Sequence, residues 1–319
     1  MLRVLHRGSP GFDEPGEEPG WRLPEDAVWI DLIGPSRAEE LKIEQALGLQ
    51  LPTREDMAEI EPSSRLYQEG GATFMTAVVL TNADTEAPVA APVTFVLTGD
   101  KLVTIRYEEP RSVRVFSAQA ERQPALCPTG ATTFLNLIDA VVDRTADVIE
   151  KIAADVESIS TAVFARPRER SFDDFLYRLG RAQTTNAKIR DSLVSLARLA
   201  SFASLATEIE NDREHREHLR TMSRDVQSLL DHSAYVSSNV NFLMDAALGL
   251  INLEQSNVTK IFSIAAVVFL PPTLVASIYG MNFEFMPELH WLFGYPFALG
   301  LMVLSVIASL LWFKSRGWL

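Results

Sequence analysis

Residues Ser256–Asn282 read SNVTKIFSIAAVVFLPPTLVASIYGMN, and no formal charge falls between Lys260 and Glu284. An uncharged run of that length makes a helix of about 34 Å, enough to cross the roughly 30 Å hydrocarbon core of a bilayer. The stretch therefore reads as a membrane span. A second apolar run, Trp291–Phe313, follows after a short connection, so the membrane part is C-terminal.

Within the first span, small and hydroxyl residues recur at steps of three and four: Asn252, Ser256, Thr259, Ser263, Ala266, Thr273 and Ser277, with Leu270 continuing the line. These positions share one helix face. Ile261, Ile264, Val268, Phe269 and Val275 point elsewhere. Two readings fit the stripe. Small residues let membrane helices approach closely, which makes it a packing seam; copies of the stripe around a common axis would instead line an aqueous path. Pro271 and Pro272 sit inside the span, where prolines are tolerated if neighbouring groups or a water-filled cavity satisfy the freed carbonyls.

The remainder looks like a soluble protein. Of 319 residues, 22% are charged, and the net charge of −13 argues against nucleic acid as a partner. A single cysteine, Cys127, excludes an internal disulfide and reads as a small buried apolar residue. The amino terminus has no apolar core of signal-peptide length, so export of the N-terminal part is not expected. Lys260 precedes the first span and Lys314 and Arg316 follow the second, while the connecting loop carries Glu284, Glu288 and His290. Basic flanks stay inside, so both termini are expected in the cytoplasm.

Along the chain, Leu2–His6, Ala27–Leu32, Phe74–Thr81, Val93–Thr98 and Leu102–Tyr107 read as strands, the last two joined by a turn at Gly99-Asp100. Ser36 with Glu39, and Thr53 with Asp56, open helices as capping boxes. NADTEAPVAAP, residues 82–92, reads as a loop. The pattern is an α/β domain over residues 1–130. Strand signals then vanish, and residues 131–257 form a helical domain: Thr132–Val163, Ser171–Ala203, and a long stalk helix from Glu208 that flows into the span. If continuous to Tyr279, that helix is about 108 Å long. The arginine-rich patch RPRER, residues 166–170, reads as a solvated turn, and His215 and His218 as solvated positions on a charged face.

Gly280-Met281-Asn282 after a first membrane helix, Met286-Pro287-Glu288-Leu289 in the next loop, a second span and the FKSRGWL tail, in that order, resemble the CorA family of divalent-cation channels. The lead-in Phe269–Leu289 is similar especially to the bacterial magnesium-transporting members. The resemblance implies an α/β cytoplasmic domain, a long helical stalk and two C-terminal transmembrane helices. It also implies a funnel-shaped homopentamer in the bacterial inner membrane, its partners being its own copies and the lipid bilayer. Span 258–280 would line the pore, 281–291 would form the external loop, 292–313 would face lipid, and 314–319 would be a basic cytoplasmic tail.

From the family, Gly280, Met281 and Asn282 carry over as the selectivity motif, with Asn282 touching Mg²⁺ through its hydration water. Mg²⁺ surrenders water reluctantly, so a ring of neutral carboxamides suits the hydrated ion. Pore-lining positions fall on Thr259, Phe262, Ser263, Ala266, Leu270, Thr273 and Ser277, agreeing with the stripe; Leu270 and Phe262 would be the apolar constriction. Asp245, Asn252 and Ser256 would line the inner funnel, although relatives commonly have Asn at the position of Ser256. Glu284 and Glu288 would concentrate cations at the outer mouth, or are simply solvated.

Mg²⁺ would be both cargo and regulator, with Asp225 and Asp231 among the carboxylates that could sense it. The implied function is passive influx of Mg²⁺, with Co²⁺ and Ni²⁺ as further candidates. An inside-negative potential favours entry of a divalent ion by about 4.6 kcal/mol per 100 mV. No phosphate-binding GxxxxGK[ST] motif occurs, so no nucleotide is expected and the chain is not read as an enzyme. The alternatives are a ZntB-like zinc transporter on the same fold and, more remotely, a membrane-anchored enzyme or sensor.

Overall fold

The computed structural model describes residues 1–15, 21–59, 61–85, 87–164, 172–282 and 286–318. Two compact units result, Met1–Met244 and Asp245–Leu319. In the first, β1 (Leu2–His6) pairs antiparallel with the short β2 (Phe12–Asp13) and with β3 (Ala27–Ile33). Helix α1 (Arg37–Leu47) starts at Ser36, whose hydroxyl accepts from the Glu39 amide while Glu39 answers the Ser36 amide; α2 (Arg54–Ala58) repeats the device with Thr53 and Asp56. Both expected capping boxes are formed.

A one-turn α3 (Pro62–Arg65) leads into β4 (Leu66–Glu69), β5 (Ala72–Thr81), β6 (Val89–Thr98) and β7 (Lys101–Arg106). The seven strands lie in the order β2-β1-β3-β7-β6-β5-β4, all antiparallel except the central pair β3 and β7. One face carries Ile30, Leu32, Phe74, Val96, Val103 and Ile105, which form a core with Ile43 of α1 and Met57 of α2. Because side chains alternate across a strand, Trp29, Asp31, Phe95 and Thr104 point to the other face. There Trp29 meets Phe116 of α4 (Arg111–Arg122) and Phe95 meets Phe134 of α5 (Gly130–Phe164). Helices therefore cover both faces of the sheet.

β6 begins four residues before the expected Val93, inside the stretch read as a loop. Pro92 opposite Val78 is what suggested a break, yet the position tolerates proline. Val78 directs its own N–H to Ser195 Oγ (2.9 Å) and its C=O to Ser192 Oγ (2.8 Å) on α6 (Phe172–Ala203), so it requires no N–H from Pro92.

The expected helix start at Glu208 is also corrected. A short α7 (Thr207–Glu210) ends at Asn211, and α8 (Arg213–Tyr279) starts afresh because Asp212 Oδ1 accepts from the amides of Glu214 (2.7 Å) and His215 (3.2 Å). Two polar clasps tie α8 to α6: Asn186 donates to the Ser233 carbonyl (2.9 Å) and accepts from the Ser233 hydroxyl (3.0 Å), and Gln183 exchanges with Ser237. The second unit holds the remainder of α8, a 3-10 turn at Pro287–His290 and α9 (Gly294–Ser315).

Candidate functional site

Among the described residues, two helices, α8 and α9, are long and apolar enough to cross a membrane. On the membrane-length part of α8, Asn252, Ser256, Thr259, Phe262, Ala266, Leu270, Thr273 and Ser277 are all exposed, and Ser263 is half-buried. The side chains that the chain itself shelters are Ile264, Val268, Pro271, Pro272, Val275 and Tyr279. At 100° per residue the two groups fall on nearly opposite sides of the helix. The polar stripe lies opposite the sheltered residues, within a wider exposed surface that also carries Ile261, Phe269 and Leu274.

Along it the hydroxyls fold back onto their own helix. Thr259 donates to the Gln255 carbonyl (2.9 Å), Ser263 to Thr259 (2.9 Å) and Thr273 to Phe269 (2.7 Å). Each hydroxyl proton is thereby satisfied within the helix, and its oxygen keeps the capacity to accept. Pro271 and Pro272, lacking N–H, free the carbonyls of Val267 and Val268 one turn earlier. Phe262 and Leu270, each 72% exposed, are the bulky apolar members of the stripe.

The helix ends at Tyr279. Gly280 donates its N–H to the Ala276 carbonyl (2.9 Å) and Met281 to Ile278 (3.2 Å), which winds the chain into a last turn and leaves Asn282 exposed beyond it. A Cβ on Gly280 would lie 3.0 Å from the Ala276 carbonyl oxygen, so glycine keeps this turn tight. Glu288 is exposed, and its carbonyl accepts from the Trp291 amide; Glu284 lies outside the described residues, as does the RPRER turn.

At the other end of the spans the tail folds back. Gly317, at φ +70°, turns the chain so that the Trp318 amide bonds the Phe313 carbonyl (3.0 Å) and the Trp318 ring faces Lys260 Nζ, 5.8 Å from the ring centre. Arg316 and Trp318 with Asn252, Ser256, Thr259 and Ser263 border a groove of about 700 Å³. Asp245 is exposed.

In the first unit the histidines depart from expectation. His215 is half-buried, with Nε2 3.0 Å from Thr132 Oγ1 and Nδ1 3.1 Å from the Glu208 carbonyl, and His218 contacts the Asp139 carboxylate. They join α8 to α5, which helical spacing alone could not reveal. His218, Asp139, Asp143 and Asp225 line a groove of about 410 Å³. Partial burial, reinforced by the negative charges of Asp139, Asp147 and Asp225, raises the Asp143 carboxyl above its usual range. Asp231 is exposed and accepts from Gln227. Among the described residues, no group of three or more His, Cys, Asp or Glu is arranged to hold a metal ion by itself. Cys127 is buried, as expected.

A sheet covered by helices on both faces, joined in one chain to two membrane-length helices with a polar stripe on the first, defines a class: membrane proteins with a large α/β domain outside the bilayer. The chain belongs to the CorA family, since the family model for "CorA-like Mg2+ transporter protein" matches residues 24–315. It is 38% identical over 294 residues to the magnesium transport protein CorA of Pectobacterium atrosepticum, covering 92% of each chain. Against the proteins of that name from Salmonella typhimurium and Escherichia coli K12 the identities are 37% and 36%, again over 92% of each chain.

The fold matches the CorA magnesium transporter structure from Methanocaldococcus jannaschii at TM-score 0.80 and 17% identity, over 100% of this chain and 99% of that one. The full-length CmaX protein follows at 0.70 and 16% identity, over 99% and 96%. A ZntB cytoplasmic domain from Vibrio parahaemolyticus matches at 0.57 and 10% identity, over 79% of this chain. The zinc-transporter alternative thus has the weaker likeness.

Proposed function

We infer that this chain carries Mg²⁺ across the inner membrane, as a ring of identical copies in which the stripe from Asn252 to Asn282 faces a shared axis. Family membership and the similarity to magnesium transport proteins over nearly the whole chain support the ion. The observation that carries the pathway is the open face of α8: polar, periodic, on the side opposite the residues that the chain shelters, and ending at an exposed Asn282. Two spans cannot enclose a pore within one chain, so several copies are required; five is the number we propose.

In this reading the carboxamides of Asn282 collect at the outer mouth and hold the hydrated ion through its waters, weakly enough for it to leave. Gly280 and Met281 set the turn that presents them. Glu284 and Glu288 raise the local cation concentration. Thr273, Ser277, Ala266, Ser263 and Thr259 offer oxygens or clearance along the path, and the rings of Leu270 and Phe262 close it by dewetting. Asp245, Asn252 and Ser256 form the inner funnel, and both termini are cytoplasmic.

Regulation by Mg²⁺ needs only that the ion bind the closed ring better than the open one. Asp225, with Asp139 and Asp143 across the groove, is where a cation would relieve the repulsion already raising Asp143; Asp231 is the other candidate. The test is Mg²⁺ uptake into liposomes holding the purified protein. Wild-type chain gives saturable uptake driven by an inside-negative potential, and Asn282→Ala abolishes it while the assembly survives. Unchanged uptake in the variant would remove Asn282 from the mechanism, and a preference for Zn²⁺ would favour the ZntB-like alternative.

A further inference from the structure

In a chain of net charge −13, cationic side chains gather at one place in the first unit. The turn after β5, residues 82–85, forms a wall common to two cavities of about 210 and 690 Å³. Asn82 holds that turn at φ +53°, a left-handed conformation that asparagine tolerates. Asp84 at its tip receives Arg111 of α4 and Arg144 of α5, each at 2.7 Å, and Lys151 Nζ stands 3.8 Å from its other oxygen. Arg181 of α6 donates to the Thr85 carbonyl at 3.0 Å. Arg178 contacts Asp155 and donates to Ser158 Oγ at 2.9 Å.

Among the described residues, the combined lining, with Arg114, holds six cationic side chains against three carboxylates, Asp84, Glu109 and Asp155, and a fourth, Asp147, stands 3.7 Å from Arg144 at its edge. Three cations therefore converge on one carboxylate that is itself 42% exposed. Arg144 and Lys151, two helical turns apart, are separated by about 10 Å along α5; Arg144 is shared between Asp84 and Asp147, while Lys151 reaches Asp84 only at 3.8 Å. Guanidinium and ammonium groups of this density favour phosphate, which accepts several charge-assisted bonds at once. The hydrogen bond from Arg111, and then Arg144, holds the Asp84 carboxyl below its usual range, so it stays anionic and competes for the same groups. Divalent metal is disfavoured here, because a cation would have to displace three others.

We propose that this basin binds an oligophosphate anion, two or more linked phosphoryl groups carried either by inorganic polyphosphate or by a nucleotide, in competition with the Asp84 carboxylate. No hydrolysis is involved, in keeping with the lack of a phosphate-loop motif. The site departs from the expectation that nucleotides play no part, which rested on that motif alone.

The test is calorimetric titration of the full-length protein in nanodiscs, in chelator-containing buffer so that magnesium phosphates do not form, with tripolyphosphate in one arm and ATP in the other. Saturable binding of tripolyphosphate equal to that of ATP assigns recognition to the phosphate chain, and tighter ATP binding adds a nucleoside contact. Either supports the site. Charge reversal at two exposed positions, Arg111→Glu with Lys151→Glu, should weaken binding at least tenfold, and Asp84→Asn should tighten it severalfold. On the wild-type protein, saturating tripolyphosphate should protect Lys151 from amine-reactive labelling read by mass spectrometry. Absence of saturable binding in both arms, undiminished binding in the reversed variant, or full labelling of Lys151 under saturation would each overturn the proposal.

Discussion

Asp31 and Arg106 lie in the central parallel strand pair, on β3 and β7, both essentially without solvent exposure, and bonded at 2.8 Å and 3.2 Å. Thr104 donates to Asp31 (2.7 Å) and accepts from the Trp29 indole (2.9 Å), so four side chains form one buried polar chain beneath α4 and α5. Removing one partner strands the other charge in the core. Asp31→Ala should cost about 3–5 kcal/mol, measured by chemical unfolding monitored by far-ultraviolet circular dichroism, whereas Asp31→Leu with Arg106→Met should recover most of the loss.

Asp143 offers a test with the opposite sign. A carboxyl whose pKa is raised in the fold costs stability at neutral pH, and the cost disappears as pH falls through the raised value and the group becomes neutral. Asp143→Asn should therefore raise Tm at pH 7, and its advantage should shrink on acidification toward the ordinary carboxylate range. Mg²⁺ should stabilise the wild type more than the variant if the groove holds the ion. Scanning calorimetry over pH, with and without Mg²⁺, reads both effects. Neither cluster was legible in the sequence: Asp31 and Arg106 are 75 positions apart, and no periodicity links Asp143 to Asp225 on different helices.

At the level of elements, local chemistry was the readable part. Ser36 and Thr53 announced their helices, and branched residues announced β3 and β5, because caps and alternation act over a few residues. What failed was non-local. β6 extends through Pro92 only because serines on α6, more than a hundred positions away, take the backbone groups of Val78. Ser192→Ala with Ser195→Ala should leave a partly buried N–H and C=O unpaired at a cost of about 1–3 kcal/mol for each group at most, and should expose the Val78 amide to hydrogen exchange. The amphipathic α4, with Val113, Phe116 and Ala120 buried, carried a periodic signal that was overlooked, and the short β2 and β4 carried almost none. In the span, by contrast, three-to-four spacing was enough to name a stripe, whose positions on α8 are exposed apart from the half-buried Ser263.

For the whole molecule, the proposed pathway needs several copies, since one copy presents only a face. On the proposed reading, the oxygens of the α8 stripe, which a solitary helix would turn to lipid at a cost, meet water and ions within a ring of copies. Motif order at the C-terminus made the family legible, since glycine, methionine and asparagine mark the end of the first span. Asp139, Asp143 and Asp225 converge from α5 and α8, and the number of copies is a property of the assembly, for which one sequence has no local signal.

The most direct test uses the single native cysteine. With Cys127→Ala as background, cysteine is introduced in turn at Thr259, Ala266, Thr273 and Ser277, and at Ile264, Val268 and Val275, and Mg²⁺ uptake into liposomes is followed while a charged thiol reagent is added. Block at the first four positions and none at the last three is the expected result. Block at Ile264, Val268 and Val275 with the stripe positions insensitive would contradict the account, because the ions would then be passing the other side of the helix.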